Sequence, residues 1–266
     1  MIISASRRTD LPAFYPSETI DKILACDNVE CVVFWTKDAR PIMEYLPRLQ
    51  ERNIPFYFQY TLTSYKGDLE PVIGRTDDGD TLHTKSNILE NMKAIARQYG
   101  SDALVWRYDP IILTNAHLPQ GLVTMYTWHW HIYCFEEICR RLKGYTNVCI
   151  ISFVDIYNHL KDIATQHGFA NLTTSDQKTL ACKLADIARN YGIQVQTCAE
   201  YLHLPQAKCI DPDRIVRLTG KPFDYVKDPS QRKLCGCTTS VDIGSYEQEC
   251  FHHCVYCYAR QQKQIK

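Results

Sequence analysis

The segment Cys31-Val-Val-Phe-Trp35 is apolar at every position. A strand with one solvated face alternates apolar and polar residues. A run without alternation is buried on both faces, the condition of a strand inside a parallel sheet covered by other layers. Further runs at Ile2–Ser6, Phe56–Leu62, Leu104–Arg107, Val148–Phe153 and Gln194–Cys198 read as strands of the same sheet. Helical spacing fills the intervals. Glu18–Ala25 follows Ser17 as N-cap, and Pro41–Arg52 carries Ile42, Tyr45, Leu46 and Leu49 on one face. Asn87–Tyr99 stops at Gly100, residues 123–143 form an aromatic-rich helix, and Thr179–Tyr191 stops at Gly192. Six strands alternating with helices predict an α/β protein. The expected sheet is parallel, TIM-like and closed or partly closed into a (β/α) barrel, with right-handed crossovers.

In such folds chemistry collects at the C-terminal strand ends. Each expected strand end here supplies polar groups: Ser6 to Asp10, Thr36 and Lys37, Thr61 and Thr63, Arg107 and Asp109, Ser152 and Asp155, Cys198 and Glu200. The ordinary alternative is loop polarity and helix capping. A polar connection over residues 64–85 has the length of a functional or mobile loop.

Lys+Arg and Asp+Glu both number 30, so the net charge is zero. That excludes the diffuse basic footprint of a general nucleic-acid binder, and strong nucleic-acid binding is not expected. The first residues lack the basic and apolar regions of a signal peptide, and no apolar run approaches the roughly 18 residues of a membrane span. Thirteen cysteines in such a chain point to a reducing cytoplasm, with thiols used for metal or packing.

From residue 201 the alternation ends. Pro205, Pro212, Pro222 and Pro229 mark an irregular segment with one helix, Asp211–Leu218, and a short strand, Ser240–Gly244. The expected division is a barrel domain over 1–200 and a Cys-rich segment over 201–266 that completes it. Cys250-Phe-His-His-Cys254-Val-Tyr-Cys257 places three thiols within eight residues. Three thiolates can hold three irons of a [4Fe–4S] cube and leave the fourth open, whereas ligation by four cysteines leaves none. Zinc on the same cysteines with His252 or His253 is the alternative. Cys198, Cys209, Cys235 and Cys237 form a second set, suited to a fully ligated auxiliary [4Fe–4S] cluster or to zinc. Cys26, Cys31, Cys134, Cys139, Cys149 and Cys182 lie in apolar patterns and read as packing residues. His129 and His131 fall on different helix faces, one surface and one core.

Cys250-x3-Cys254-x-Tyr256-Cys257 resembles the cluster motif of radical S-adenosylmethionine (SAM) enzymes, with its aromatic before the third cysteine. The Cys-Tyr-Ala ending is most similar to the spore photoproduct lyase-like branch. In that superfamily the motif follows the first barrel strand, near the N-terminus; here it lies near the C-terminus. Later segments of that branch resemble T-D-P, V-x-x-x-T-K-S, an acidic-proline loop and a strand ending at D-P. Arg8-Thr9-Asp10, Val32 to Asp38, Glu70-Pro71 and Arg107-Tyr-Asp109-Pro110 repeat them in order. The resemblance implies a circularly permuted radical SAM barrel. The full length also resembles the bacterial family called domain of unknown function 1848. The shared segments are Ser4 to Tyr15, Phe34 to Lys37, Trp106 to Pro110, and Cys235-Gly-Cys237 to the end. A segment with N-P-x-N expected after the first helix is absent between Ile20 and Val32.

This resemblance implies an iron–sulfur enzyme that cleaves SAM reductively and abstracts hydrogen from an unidentified substrate. Cys250, Cys254 and Cys257 would bind the [4Fe–4S] cluster, whose open iron would chelate SAM. Tyr256 would pack near the adenine. Ser4, Ser6, Thr9 and Asp10 would hydrogen-bond the amino-acid moiety, and Arg7 or Arg8 would pair with its carboxylate. Arg107 and Asp109 are catalytic candidates or a structural ion pair. The implied partners are a small-molecule or modified-nucleotide substrate and a flavodoxin- or ferredoxin-type electron donor. The competing reading is a non-catalytic iron–sulfur or zinc-binding barrel module.

Overall fold

The strands expected from the apolar runs all form, in a computed structural model that describes residues 1–73, 81–114 and 126–259. They are β1 (Ile2–Ala5), β2 (Cys31–Thr36), β3 (Phe56–Thr61), β4 (Leu104–Ile111), β5 (Val148–Phe153), β6 (Gln194–Thr197) and β7 (Val241–Asp242). All pair in parallel, in the order β6-β5-β4-β3-β2-β1-β7. Neighbours in space are neighbours in sequence except at one edge, where the last strand returns beside the first. There Val241 pairs with Ile3 and Asp242 with Ser4.

The described helices are α1 (Leu11–Phe14), α2 (Pro16–Leu24), α3 (Pro47–Glu51), α4 (Thr81–Tyr99), α5 (Trp128–Leu142), α6 (Lys161–Gln166), α7 (Thr174–Arg189) and α8 (Pro212–Thr219). Several boundaries differ from the sequence reading. The single helix expected over Pro41–Arg52 is a 3-10 turn, Arg40–Tyr45, followed by α3. Pro47 has no N–H to continue a helix but suits the first turn of a new one. Ser17 is not the cap of α2: Pro16 opens that helix after Tyr15, which makes no side-chain cap bond. α7 begins earlier than expected, at a capping box of Thr173 and Asp176. β4 runs through Asp109-Pro110 to Ile111. Residues 74–80 of the polar connection, 115–125 and 260–266 lie outside the described residues.

The two-sided burial of the strands has two different covers. Ile3, Val32, Phe34, Phe58, Trp106, Ile151 and Val195 pack with Ile20 and Ile23 of α2, Met92 and Ile95 of α4, Phe135 of α5 and Leu180 and Leu184 of α7. Residues of the opposite parity, Ile2, Cys31, Val33, Tyr57, Val105 and Ile150, pack against Ala207, Cys209, Ile210, Ile215, Cys235 and Cys237 of the C-terminal segment. Each fully buried aliphatic or aromatic side chain contributes roughly 1.5–3 kcal/mol. Tyr57 Oη (2.8 Å) and Gln59 Nε2 (2.7 Å) both donate to the Cys209 carbonyl, fixing that segment to the sheet. Among the described residues no helix is long and apolar enough to cross a membrane.

Candidate functional site

Side chains along a strand alternate between faces. The parity that puts Val33, Val105 and Ile150 against the C-terminal segment therefore puts Trp35, Arg107, Asp109, Ser152 and Cys198 on the same side, one step nearer the C-terminal strand ends. There they line a cavity of about 330 Å³ with Arg7, Arg8, Thr9, Asp10 and Lys37 from the loops. Cys250, Cys254 and Cys257 line the same cavity. A larger cavity lies beside Asn53–Phe56 and Phe223, at the opposite strand ends, away from these groups.

The cysteine loop follows β7 and is fastened at several points. His252 Nε2 lies 2.7 Å from Asp10 Oδ2. Asp10 also accepts from the Lys37 backbone N–H (2.7 Å) and caps α1 through Ala13 N–H (3.1 Å), so one carboxylate ties three segments together. Tyr256 Oη donates to Glu70 Oε1 at 2.5 Å, and Val255 N–H to the Leu69 carbonyl at 3.0 Å. Glu70 is 1% exposed, between Lys37 Nζ (2.8 Å) and Lys85 Nζ (2.7 Å). Burial alone would raise its pKa, but the two ammonium groups hold it well below the usual carboxylate range. Burial pushes the Cys254 thiol up to about 12 against the pull of Lys37, and Cys257 and Cys250 raise it further. Burial likewise raises the Cys250 thiol, with Asp10 adding to the shift. Among the described residues, no three His, Cys, Asp or Glu side chains stand ready in metal-ligating geometry. His253, with φ of 53°, is exposed, and His252 Nδ1 is buried without a hydrogen-bond partner.

The remaining sequence candidates divide by what their polar atoms do. Ser4 Oγ accepts from Trp35 Nε1 (3.1 Å) and donates to Asp242 Oδ2 (3.2 Å); it lies beneath the cavity wall. Ser6 Oγ donates to Asp242 Oδ1 (2.6 Å) and accepts from Arg8 N–H (3.0 Å). These hydroxyls hold β1 to β7. Arg8 Nη1 donates to the Gly244 carbonyl at 2.9 Å. Arg7 Nη2 and Thr9 Oγ1 are buried without hydrogen-bond partners at the cavity. Arg7 and Arg107 both stand over the ring of Trp35, 5.4 and 5.2 Å from its centroid. Arg107 pairs with Asp109, which also accepts from Ser152 Oγ. Burial would discharge Arg107; Asp109 and Cys209 hold its charge.

Residues 17–259 match the family described as "Domain of unknown function (DUF1848)". The chain belongs to this family. No curated protein matches it. A similar solved structure is that of a "putative alpha-L-fucosidase" from Bacteroides thetaiotaomicron VPI-5482, 15% identical, with 71% of each chain covered and a TM-score of 0.30. At that score the likeness carries no argument.

In this DUF1848 protein the second cysteine set also comes together. Cys198 and Cys209 Sγ atoms are 4.0 Å apart, and Cys235 and Cys237 pack with Cys209 in one buried cluster. Cys31, Cys139 and Cys149 are buried packing residues, as their apolar settings suggested, whereas Cys182 is exposed. Sequence reasoning passed over Asp242, Glu70 in its role as an anchor, and Trp35 as cavity floor. The alternation Val33–Trp35 carried a signal for Trp35. Nothing local marked the other two.

Proposed function

We propose that this DUF1848 protein is an iron–sulfur radical SAM enzyme acting on a small-molecule or modified-nucleotide substrate. The observation that carries the reading is the placement of Cys250, Cys254 and Cys257 in one cavity with the unpartnered Arg7 Nη2 and Thr9 Oγ1. The donor set fits a [4Fe–4S] cluster: Cys254 is buried, Cys250 and Cys257 are partly exposed, and all three line one cavity, a set of three thiols that could each take one iron of a cube. When bound, that cluster with SAM supplies one-electron cleavage of the sulfonium and the hydrogen abstraction that follows.

The chain's own contribution is binding, orientation and exclusion of water. Arg7 Nη2 and Thr9 Oγ1 offer donors for a carboxylate, in a site where the Arg7 guanidinium stands over the Trp35 ring. Asp109, held by Arg107 and Ser152, presents an acceptor oriented for a hydroxyl or amine. The Lys37–Glu70–Lys85 array fixes Tyr256, and through it the cysteine loop. Exposed Tyr157 and Tyr258 stand at the rim. Electrons would come from a flavodoxin- or ferredoxin-type donor, and thirteen cysteines without a disulfide suit a reducing cytoplasm.

The sheet order supports reading the fold as a circularly permuted TIM-like partial barrel. β7 pairs in parallel with the outer side of β1 and leads directly into the cysteine loop, the position a first strand with its cluster loop would hold.

The test is anaerobic reconstitution with iron and sulfide, reduction, and incubation with SAM. The expected product is 5′-deoxyadenosine, with about four irons held by the loop, the content of one cube. Cys254→Ala abolishes product and Cys139→Ala does not. Equal loss in both variants, or a loop that takes zinc and yields no adenosyl product, overturns the enzyme reading in favour of a metal-binding module.

A further inference from the structure

Cys198, Cys209, Cys235 and Cys237 are brought together by three segments of chain. Past β6, Thr197 N–H donates to the Pro205 carbonyl and Ala207 N–H to the Thr197 carbonyl, both at 2.9 Å, which folds Cys209 back onto Cys198. Asp228 N–H donates to the Cys237 carbonyl (3.0 Å) and Thr238 N–H to the Ile210 carbonyl (3.1 Å), laying Cys235-Gly236-Cys237 along residues 208–210. The approach requires glycine, because a Cβ on Gly236 would stand 2.9 Å from Lys208 Cγ and 3.4 Å from the Ala207 carbonyl oxygen. No disulfide joins any of these cysteines.

Two contacts suit thiolates better than thiols. Arg107 Nη1 donates to Cys209 Sγ at 3.1 Å, and Ile210 N–H donates to Cys237 Sγ at 3.3 Å. A neutral thiol sulfur is a weak acceptor. A buried guanidinium and a buried amide aimed at sulfur stabilise the charged, ligating form, as outer partners of metal ligands do.

We infer that these four cysteines form a second metal site, for a single thiolate-seeking divalent ion such as zinc. The separation of Cys198 and Cys209 favours an ion over a cube. Tetrahedral zinc with Zn–S near 2.3 Å holds its sulfurs about 3.8 Å apart, close to the 4.0 Å between Cys198 and Cys209. Each thiolate of a cube sits on its own iron, farther from the others. Cys198 and Cys209 share a hydrogen bond through sulfur. Each thiol that ligated such an ion would release one proton to solvent. The site fastens the irregular C-terminal segment to the inner face of the sheet. It stands whether or not the loop of Cys250 holds a cluster.

The experiment removes the loop's thiols first. The full chain carrying Cys250→Ala, Cys254→Ala and Cys257→Ala, kept reduced, is titrated with zinc and with cobalt. The expected result is about one ion per chain, thiolate-to-cobalt charge-transfer absorption, and a melting temperature that falls on chelation. Adding Cys209→Ser and Cys237→Ser removes the ion. In zinc-loaded wild-type protein, alkylation mapped by mass spectrometry spares Cys198, Cys209, Cys235 and Cys237, a readout that needs no variant to fold. The inference is overturned if the loop variant binds no ion, if the serine variant keeps it, or if the four thiols alkylate at the rate of exposed Cys182. Iron and sulfide in cube ratio on these thiols overturns the single-ion assignment.

Discussion

His131 is neutral because of what surrounds it. Tyr108 Oη donates to Nδ1 at 2.9 Å, leaving Nε2 to donate to the Ile112 carbonyl at 2.8 Å, and the ring is fully buried. Burial lowers its pKa from 6.5 to about 4, with the Ile112 bond pulling the other way. The unfolded chain binds this proton near 6.5 and the folded chain does not until near 4, so between those values the unfolded state binds more protons. The stability is complete above the unfolded pKa and falls as pH drops through the window, by roughly 3 kcal/mol in all. Urea unfolding at about pH 7.5 and about pH 4.5 should show that loss in wild type, and His131→Gln should lack it. Identical pH slopes in the two proteins would refute the assignment. At this scale the sequence was legible wherever spacing carried the information: His129 and His131 fall on different helix faces, though spacing did not say that His131 would be the buried one, and the cysteine loop faces the strand-end polar groups. Glu70 was not legible as an anchor. Its partners Lys37, Lys85 and Tyr256 lie far away in sequence, and before folding nothing distinguishes it from a solvated loop acid.

β7 shows how little an element needs when its neighbours hold it. Two residues pair with β1, yet Asp242 accepts from Ser4 Oγ, Ser6 Oγ, Arg7 N–H and Gly244 N–H. Gly244 leaves no room for a side chain: a Cβ there would stand 2.1 Å from Ser6 Oγ and 2.4 Å from Ser6 Cβ. Gly244→Ala must therefore push Ser6 off Asp242. We expect it to destabilise by about 1–3 kcal/mol, the usual cost of overpacking. Hydrogen exchange should quicken over residues 241–257 well before β2 to β4 respond. Uniform quickening, or none, would mean that the contact does not hold the loop. Element boundaries were readable where one physical signal dominated. β5 has its expected ends because its apolar run, Val148 to Phe153, is broken only at Ser152. The helix expected across Pro41–Arg52 failed because its apolar spacing continues through Pro47 while its backbone cannot. The short α6 went unread, having less than two turns in which to show a period.

Over the whole molecule, strand runs announce a parallel sheet but do not say whether it closes. β6 and β7 end the strand order, and the inner face between them is filled by the C-terminal segment, whose irregular backbone has no periodicity to read. Chain order and sheet order can be separated experimentally. β7 and its loop are fastened to β1, Asp10, Tyr15 and Glu70, and follow the segment before them at Thr239. Cutting between Thr239 and Ser240 and placing residues 240–259 ahead of Met1 turns the last strand into the first. The new connection runs from the C-terminal end of one parallel strand to the N-terminal end of its neighbour, so it needs a crossover of about a dozen residues or more. The bonds of Asp242, His252 and Tyr256 are indifferent to which side of the chain delivers them. The relinked protein should unfold cooperatively, with stability changed mainly by loop closure, on the order of 1 kcal/mol. Its exchange-protected strands should be those of the parent. A relinked chain that collapses without protecting β1 would show that β7 depends on its present covalent path, and would count against the proposed reading of the fold as a permuted barrel.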